Sequence, residues 1–257
     1  EITAVREGRL RCQGAYPHPI IAGVFWAGLI PLVASQAWQS PKGRKIAAFG
    51  LGSCLLIVYC TASSTPVLGV LAGVIGALMF KSRRNIRLVF WLFIATLIVL
   101  HVVMAKPVWH LIARVSAVGG STGWHRYHLI DQAINRVGEW FLVGVRTTGH
   151  WGFGLQDVTN QYILEGVRGG GITLFIFVWL LVELFRNVGD QVKRSGSNVE
   201  SLFLAWAIGV MIFIHAVSFL GVAYFGQASV VLYITLALVP SVQNSSMDDN
   251  ELFDNSN

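Results

Sequence analysis

Charge is what this sequence has little of. Charged residues make up 12% of its 257 positions, while 54% are hydrophobic. Soluble domains carry about 25% charged residues, so the composition excludes an ordinary water-soluble domain and predicts a membrane protein. Cysteine is scarce as well. Cys12, Cys54 and Cys60 have no metal-binding or redox spacing, and two of them sit in or at the end of an apolar run, as small apolar residues do. No Glu-x-x-His or His-Glu-x-x-His pattern occurs, which removes the usual helix-borne metal sites. There is no repeat at a fixed period. There is also no initiator Met, and residues 1–19 are polar and basic rather than a signal peptide, so the chain reads as a piece of a longer membrane protein. The net charge of +6 does not point to nucleic acid, because basic residues in a membrane protein chiefly report topology.

Apolar runs are present at roughly 20–38, 46–60, 66–80, 86–105, 171–185, 201–219 and 222–240. A span needs about 17–25 residues, so an all-α, polytopic protein of about seven transmembrane helices is expected. The short second and third runs leave a half-inserted hairpin over 46–80 as an alternative. The loops "PKGRK", "KSRRNIR" and "FRNVGDQVKRSGSN" hold ten of the nineteen Lys and Arg residues and fall at alternate ends of the spans. The positive-inside rule makes them cytoplasmic. The resulting order is an outer N-terminal segment (1–19), four spans (20–105), a long outer loop (106–170), three spans (171–241) and an acidic, disordered cytoplasmic tail (242–257).

The outer segments are unexpectedly rich in arginine. Residues 1–19 and 106–170 carry eight Arg and one Lys. Arginine captures phosphate and carboxylate with two parallel hydrogen bonds; pairing with Asp131, Glu139, Asp157 and Glu165, or with lipid headgroups, is the plainer use. Ile130, Ala133, Ile134, Val137 and Phe141 recur at helical spacing and predict an amphipathic helix from His125 to Phe141 along the membrane surface, capped by Ser121 or Thr122. Trp109, Trp124, Trp140 and Trp151 suit the headgroup layer. Four glycines between Gly144 and Gly154 predict a tight loop where backbone can approach a ligand. Asp157 or Thr159 then caps a helix that Gly169–Gly171 break. His125, His128 and Asp131 do not share one helix face, so a metal site is not expected there. His101 and His215, inside apolar runs, read as packed or interhelical hydrogen-bonding residues.

The order of these parts resembles the C-terminal portion of the O-antigen ligase and O-antigen (exopolysaccharide) polymerase superfamily. "RCQGAYPHPIIAG" (Arg11 to Gly23) is similar to that family's Arg-Gly-(Asn/His)-Pro approach to a span. "TASSTPVLGVLAGV" resembles its Thr-x-Ser-Arg-Gly turn, with Ser64 or Thr65 where the family has Arg. "HRYHLIDQAINRVGEWFLVGV" resembles its Arg-led amphipathic helix and Pro-x-x-Gly loop, with Phe141 in the proline's place. "DVTNQYILEGVRGGGITLFIF" resembles its His-Asn-x-Tyr-Leu segment, with Thr159 where the family has His. The similarity covers about residues 9–186.

The resemblance implies a membrane glycosyltransferase of the bacterial inner membrane, active on the periplasmic face. Its donor would be an undecaprenyl-diphosphate-linked glycan and its acceptor another glycan or lipid-linked acceptor, with membrane lipids around it and no cofactor, metal or nucleic acid. A sugar hydroxyl would attack the anomeric carbon as the diphosphate leaves, and fixed guanidinium groups would stabilise the departing charge. Arg126 and Arg11 match the family's diphosphate-binding positions, with Arg168 as a further candidate. Asp157 is the first candidate base and His150 the second, because the family His is absent. Asn160 and Tyr162 match substrate-binding positions, and Tyr162 and Trp151 could stack on sugars. The alternatives are a polysaccharide or lipid transporter, which the charge-poor spans and missing repeats disfavour, a cysteine transpeptidase using Cys60, and a non-catalytic glycan-lipid-binding relative.

Overall fold

The computed structural model of the chain describes residues 5, 6, 8–114 and 122–254. It is helical apart from a minimal antiparallel hairpin, β1 (Val5–Arg6) with β2 (Arg9–Leu10). The helices are α1 (Pro19–Ser35), α2 (Gly43–Cys60), α3 (Ser64–Leu78), α4 (Ile86–Val103), α5 (Leu111–Arg114), α6 (Thr122–Asn135), α7 (Val137–Trp140), α8 (Gln161–Arg194), α9 (Val199–Ser218) and α10 (Gln227–Asp254). Five helical stretches among the described residues are long and apolar enough to cross a membrane: Pro19–Trp38, Gly43–Cys60, Ser64–Val103, Gln161–Arg194 and Val199–Ser218. A shorter apolar stretch covers Gln227–Pro240. Helices answer the demand of hydrocarbon that every backbone donor and acceptor be satisfied within the chain.

Ser64–Val103 differs from the sequence expectation. It runs as 40 continuous helical residues, with a 3-10 segment over Met79–Asn85 where a loop is predicted. Its two α-helical parts, Ser64–Leu78 and Ile86–Val103, are each close to the length of one span. The tight 3-10 connector carries Lys81, Arg83 and Arg84, side chains that belong in water. The tail also differs, since the backbone is helical to Asp254 where disorder is expected; no Gly or Pro follows Pro240 to stop it.

The chain divides into two compact units. The first comprises Glu1–Gly73, Trp179–Ser218 and Tyr224–Asn257, and the second comprises Val74–Val178 and Phe219–Ala223. In the first, α1 begins with His18 as cap: its Nδ1 accepts the Ile20 N–H at 3.1 Å, and Pro19 occupies the first turn, where no N–H is needed. Small residues let the helices of this unit approach closely. A Cβ on Gly23 would lie 2.4 Å from Pro66, and one on Gly28 would lie 3.0 Å from the His215 ring. His215 is fully buried. One ring nitrogen meets the Tyr224 hydroxyl at 2.7 Å and the other the Thr235 hydroxyl at 3.2 Å, the interhelical bonding expected of it. The basic loops of this unit gather at one end: Trp38 stacks on Phe203 at 4.1 Å and Gln39 donates to the Glu200 carbonyl.

The second unit contains a small core of its own: Leu129, Ala133, Trp140, Trp151, Leu155, Val158 and Val167. Replacing either tryptophan with Ala would cost about 3–5 kcal/mol. The surrounding loop is laid backbone to backbone on α8. The Val145 N–H donates to the Val167 carbonyl and the Gly171 N–H to the Phe141 carbonyl, both at 2.6 Å. This closeness requires glycine at two places. Gly144 has φ +81° and a Cβ there would lie 2.8 Å from the Val167 and Arg168 carbonyl oxygens. Gly170, which kinks α8, has φ +78° and a Cβ there would lie 2.7 Å from the Leu142 carbonyl oxygen. A side chain in the left-handed region costs about 1–2 kcal/mol before any overlap. Gly170→Ala is therefore expected to lower the thermal midpoint of the detergent-purified protein clearly, whereas Gly138→Ala, where a Cβ meets nothing, leaves it unchanged. Equal midpoints for the two variants would contradict the clamp.

Candidate functional site

The helix expected over 125–141 is shorter and is turned. It breaks at Arg136, and α7 follows. Of the expected apolar face, Ala133 is in the core and Ile130 is half-buried, while Ile134 is exposed by 44%, Val137 by 45% and Phe141 by 55%. The face that packs inward is Arg126, Leu129 and Ala133, at i, i+3 and i+7. Periodicity located the helix and Ala133, and missed that the buried stripe runs back from Ala133 through Leu129 to Arg126 instead of on through Ile134. Ser121 and the Thr122 side chain, the expected caps, lie outside the described residues. Trp140 and Trp151, expected in the headgroup layer, are core residues, 8% and 4% exposed. The Trp140 indole N–H donates to the Ala133 carbonyl at 2.8 Å. Burial covers the Trp151 ring, so it presents no open face to a sugar.

Arg126 is only 6% exposed, a burial that charged side chains reach only when partnered. Arg168 is exposed on α8, two residues before the kink. Asn160 is buried and caps α8: its Oδ1 accepts the Ile163 N–H at 3.1 Å and its Nδ2 donates to the Leu220 carbonyl at 3.3 Å. This corrects the expected cap at Asp157 or Thr159. Asn160 wins because its amide satisfies a helix donor and a neighbouring carbonyl at once. Thr159, where the resembled family has His, has a buried hydroxyl oxygen with no partner among the described residues. Tyr162 packs edge-on against Phe177 and Phe219, at 5.7 and 5.9 Å. Asp157 is exposed in the loop that precedes α8.

His150 belongs to a network that the sequence did not reveal, centred on Glu139. Glu139 Oε2 accepts from Trp151 Nε1 at 2.9 Å and lies 2.7 Å from His150 Nε2, while Oε1 accepts from Arg136 at 3.0 Å. The indole N–H of Trp151 and the imidazole of His150 hold the Glu139 carboxyl down to about 2, far below its ordinary 4.5. An ionised carboxylate can only accept, so Nε2 of His150 carries a proton and Nδ1 is the basic nitrogen of the neutral ring. Carboxylate-oriented imidazole is an arrangement suited to general-base chemistry. In sequence Glu139 was visible as one of four acidic partners for arginine, a role it fills toward Arg136; its hold on His150 was not visible.

His125 and His128 face a glycine loop. The loop at Gly152–Gly154 lies over α6 so closely that a Cβ on Gly152 would be 3.0 Å from His128 Nε2, and one on Gly154 would be 3.7 Å from His125. Asp131 is taken by the Trp109 indole and the Asn135 amide, at 3.3 and 3.1 Å. Among the described residues no group of three or more His, Cys, Asp or Glu is arranged to hold a metal ion. His101 accepts the Val108 N–H and stacks on Trp109, closing the turn after α4.

Arg11 lies in the first unit. Its Nε donates to the Thr61 carbonyl at 3.0 Å and its guanidinium also bonds the Ser63 hydroxyl. Cys12 N–H adds a bond to the Cys60 carbonyl at 2.9 Å. Thr61, Ser63, Ser64 and Thr65 around it are all buried to 1% exposure or less. Arg126, Asp157, His150, Arg168, Tyr162 and Asn160 all lie in the second unit. Comparisons of the chain with protein-family models, with curated proteins and with solved structures each found no match.

A depressed carboxyl fixes the sign of a pH effect. Above its ordinary 4.5, Glu139 contributes its full share to the order of residues 139–151; that share is lost as pH falls from 4.5 towards about 2. The side-chain carboxyl carbon resonance of Glu139 should therefore show its acid shift only on approach to 2. A shift centred near 4.5 would show that the network does not act on Glu139. In Glu139→Gln the acid-linked shift should vanish.

Proposed function

We propose that this protein is a glycosyltransferase of the bacterial inner membrane that polymerises or ligates glycan from an undecaprenyl-diphosphate-linked donor on the periplasmic face. The observation that carries the reading is the placement of Arg11. The turn "TASSTP" resembles a turn that carries its own arginine in O-antigen ligases and polymerases. Here the turn has none, and the Arg11 guanidinium is held on it by Thr61 and Ser63. The buried Arg126 and the Glu139-oriented His150 add a second fixed cation and a base in the polar module.

In this reading the chain crosses the membrane seven times, turning at the basic 3-10 segment Met79–Asn85 between α3 and α4, and the module between α4 and α8 stands outside. His150 Nδ1 takes the proton from the acceptor hydroxyl as its oxygen attacks the anomeric carbon. The bond from that carbon to the diphosphate breaks, and the electron pair leaves with the phosphate. Arg126 is the guanidinium group of the module that favours the diphosphate, with Arg168 as an exposed auxiliary, and the resemblance implies the same role for Arg11. Asp157 is the alternative base. No metal or cofactor enters the step.

Single variants of the full-length gene in its host test this. Arg126→Ala and Arg11→Ala should each lower glycan transfer by on the order of a hundredfold to a thousandfold. His150→Asn should lower it by about a hundredfold or more, and Asp157→Asn much less. Loss of long chains with accumulation of lipid-linked single repeats identifies a polymerase. Long chains retained on the lipid carrier identify a ligase. Normal protein levels with an unchanged glycan profile in all four variants would sink the reading and favour a transporter.

A further inference from the structure

The second unit exposes three consecutive large apolar residues in a turn rather than a helix. Phe141 is 55% exposed, Leu142 79% and Val143 85%. They sit between the buried Trp140 and the clamped Gly144, so they are held out as a short rigid tip. Their location is fixed by the clamp. The Phe141 carbonyl accepts the Gly171 N–H at 2.6 Å, and a Cβ on Gly171 would lie 2.6 Å from the Phe141 ring. The tip therefore rests where the apolar part of α8 begins. The next residues of α8 are equally bare: Ile172 is 71% exposed, Phe175 70% and Ile176 54%. The two sets adjoin at Gly171, one from a helix long enough to cross a membrane and the other from a turn that crosses nothing.

We infer that Phe141, Leu142 and Val143 insert into the acyl-chain region of the same leaflet that α8 enters, and so hold the polar module to the lipid surface. Two features support this. At the two ends of the tip the Phe141 N–H, the Gly144 N–H and the Phe141 carbonyl are bonded, to Val137, Trp140 and Gly171, which removes their cost of entering hydrocarbon, so that the side chains of Phe141, Leu142 and Val143 lead the insertion. Exposed Arg146 follows one clamped segment and exposed Arg168 lies within the other, and arginines beside an inserted apolar patch suit phosphate headgroups. The occupant is the bilayer because the tip continues the lipid-facing side of α8. The inference rests on α8 crossing the membrane and is independent of the reaction that the module performs.

The test uses the full-length protein with Cys12, Cys54 and Cys60 each replaced by Ala. Single cysteines are introduced as Leu142→Cys, Phe175→Cys and Gln156→Cys. Each is spin-labelled after reconstitution into vesicles of phosphatidylethanolamine and phosphatidylglycerol. Collision with oxygen, which concentrates in lipid, is compared with collision with a water-soluble nickel chelate. The expected result is an oxygen-to-nickel ratio above one at 142 and 175, and below one at 156. A ratio below one at 142, with 175 in lipid, overturns the insertion. Protection of 142 from both colliders also overturns it, because protein then covers the tip. An aqueous signal at 175 removes the premise and the inference with it.

Discussion

The second unit depends on one close approach of backbone to backbone. Residues 141–145 lie against residues 167–171 through two short hydrogen bonds, and Gly144 and Gly170 make the approach sterically possible. No side chain could stand between these strands of chain without pushing the carbonyls apart. The same contact turns α8 at Gly170, brings Trp140 onto Gly166 and places Val145 beside Val167 at the edge of the small core. The run Gly169-Gly170-Gly171 reads in sequence as a helix break. In three dimensions it is a docking surface for a loop that begins thirty residues earlier.

Polar chemistry in the chain is distributed by what each group can bond. Glu139 gathers Trp151, His150 and Arg136 on its two oxygens, which fixes both the position and the tautomer of a histidine. Arg11 ties the N-terminal segment to a turn of buried hydroxyls. His215 bridges Tyr224 and Thr235 inside an otherwise apolar helix packing. In each case a group that is costly to desolvate is given partners on both sides.

Much of the helical frame was legible from apolar runs. α1, α2, α3, α4 and α9 lie within a few residues of the predicted spans, because length and hydropathy are local properties. α8 was legible in two pieces, a polar helix ending at Gly169–Gly171 and a span from Gly171 onward; that the two run on through a kink at Gly170 was not. Of the site, the arginines were legible by type and segment. Neither the burial of Arg126 on α6 nor the pairing of Glu139 with His150 was visible, because both arise from contacts between residues distant in the fold's logic and close only after packing.

The amino-acid sequence by itself determined that this chain is built of helices for an apolar medium, that its basic loops alternate, and that a polar, arginine-rich segment interrupts the apolar runs. Those features follow from composition and period, which each stretch carries alone. Only the tertiary structure decided which face of α6 is buried, that Asn160 and not Asp157 caps α8, that Trp140 and Trp151 form a core instead of a surface belt, and that Glu139 orients His150. Each of these choices compares partners from different elements, and burial and hydrogen bonding are settled only when those partners meet.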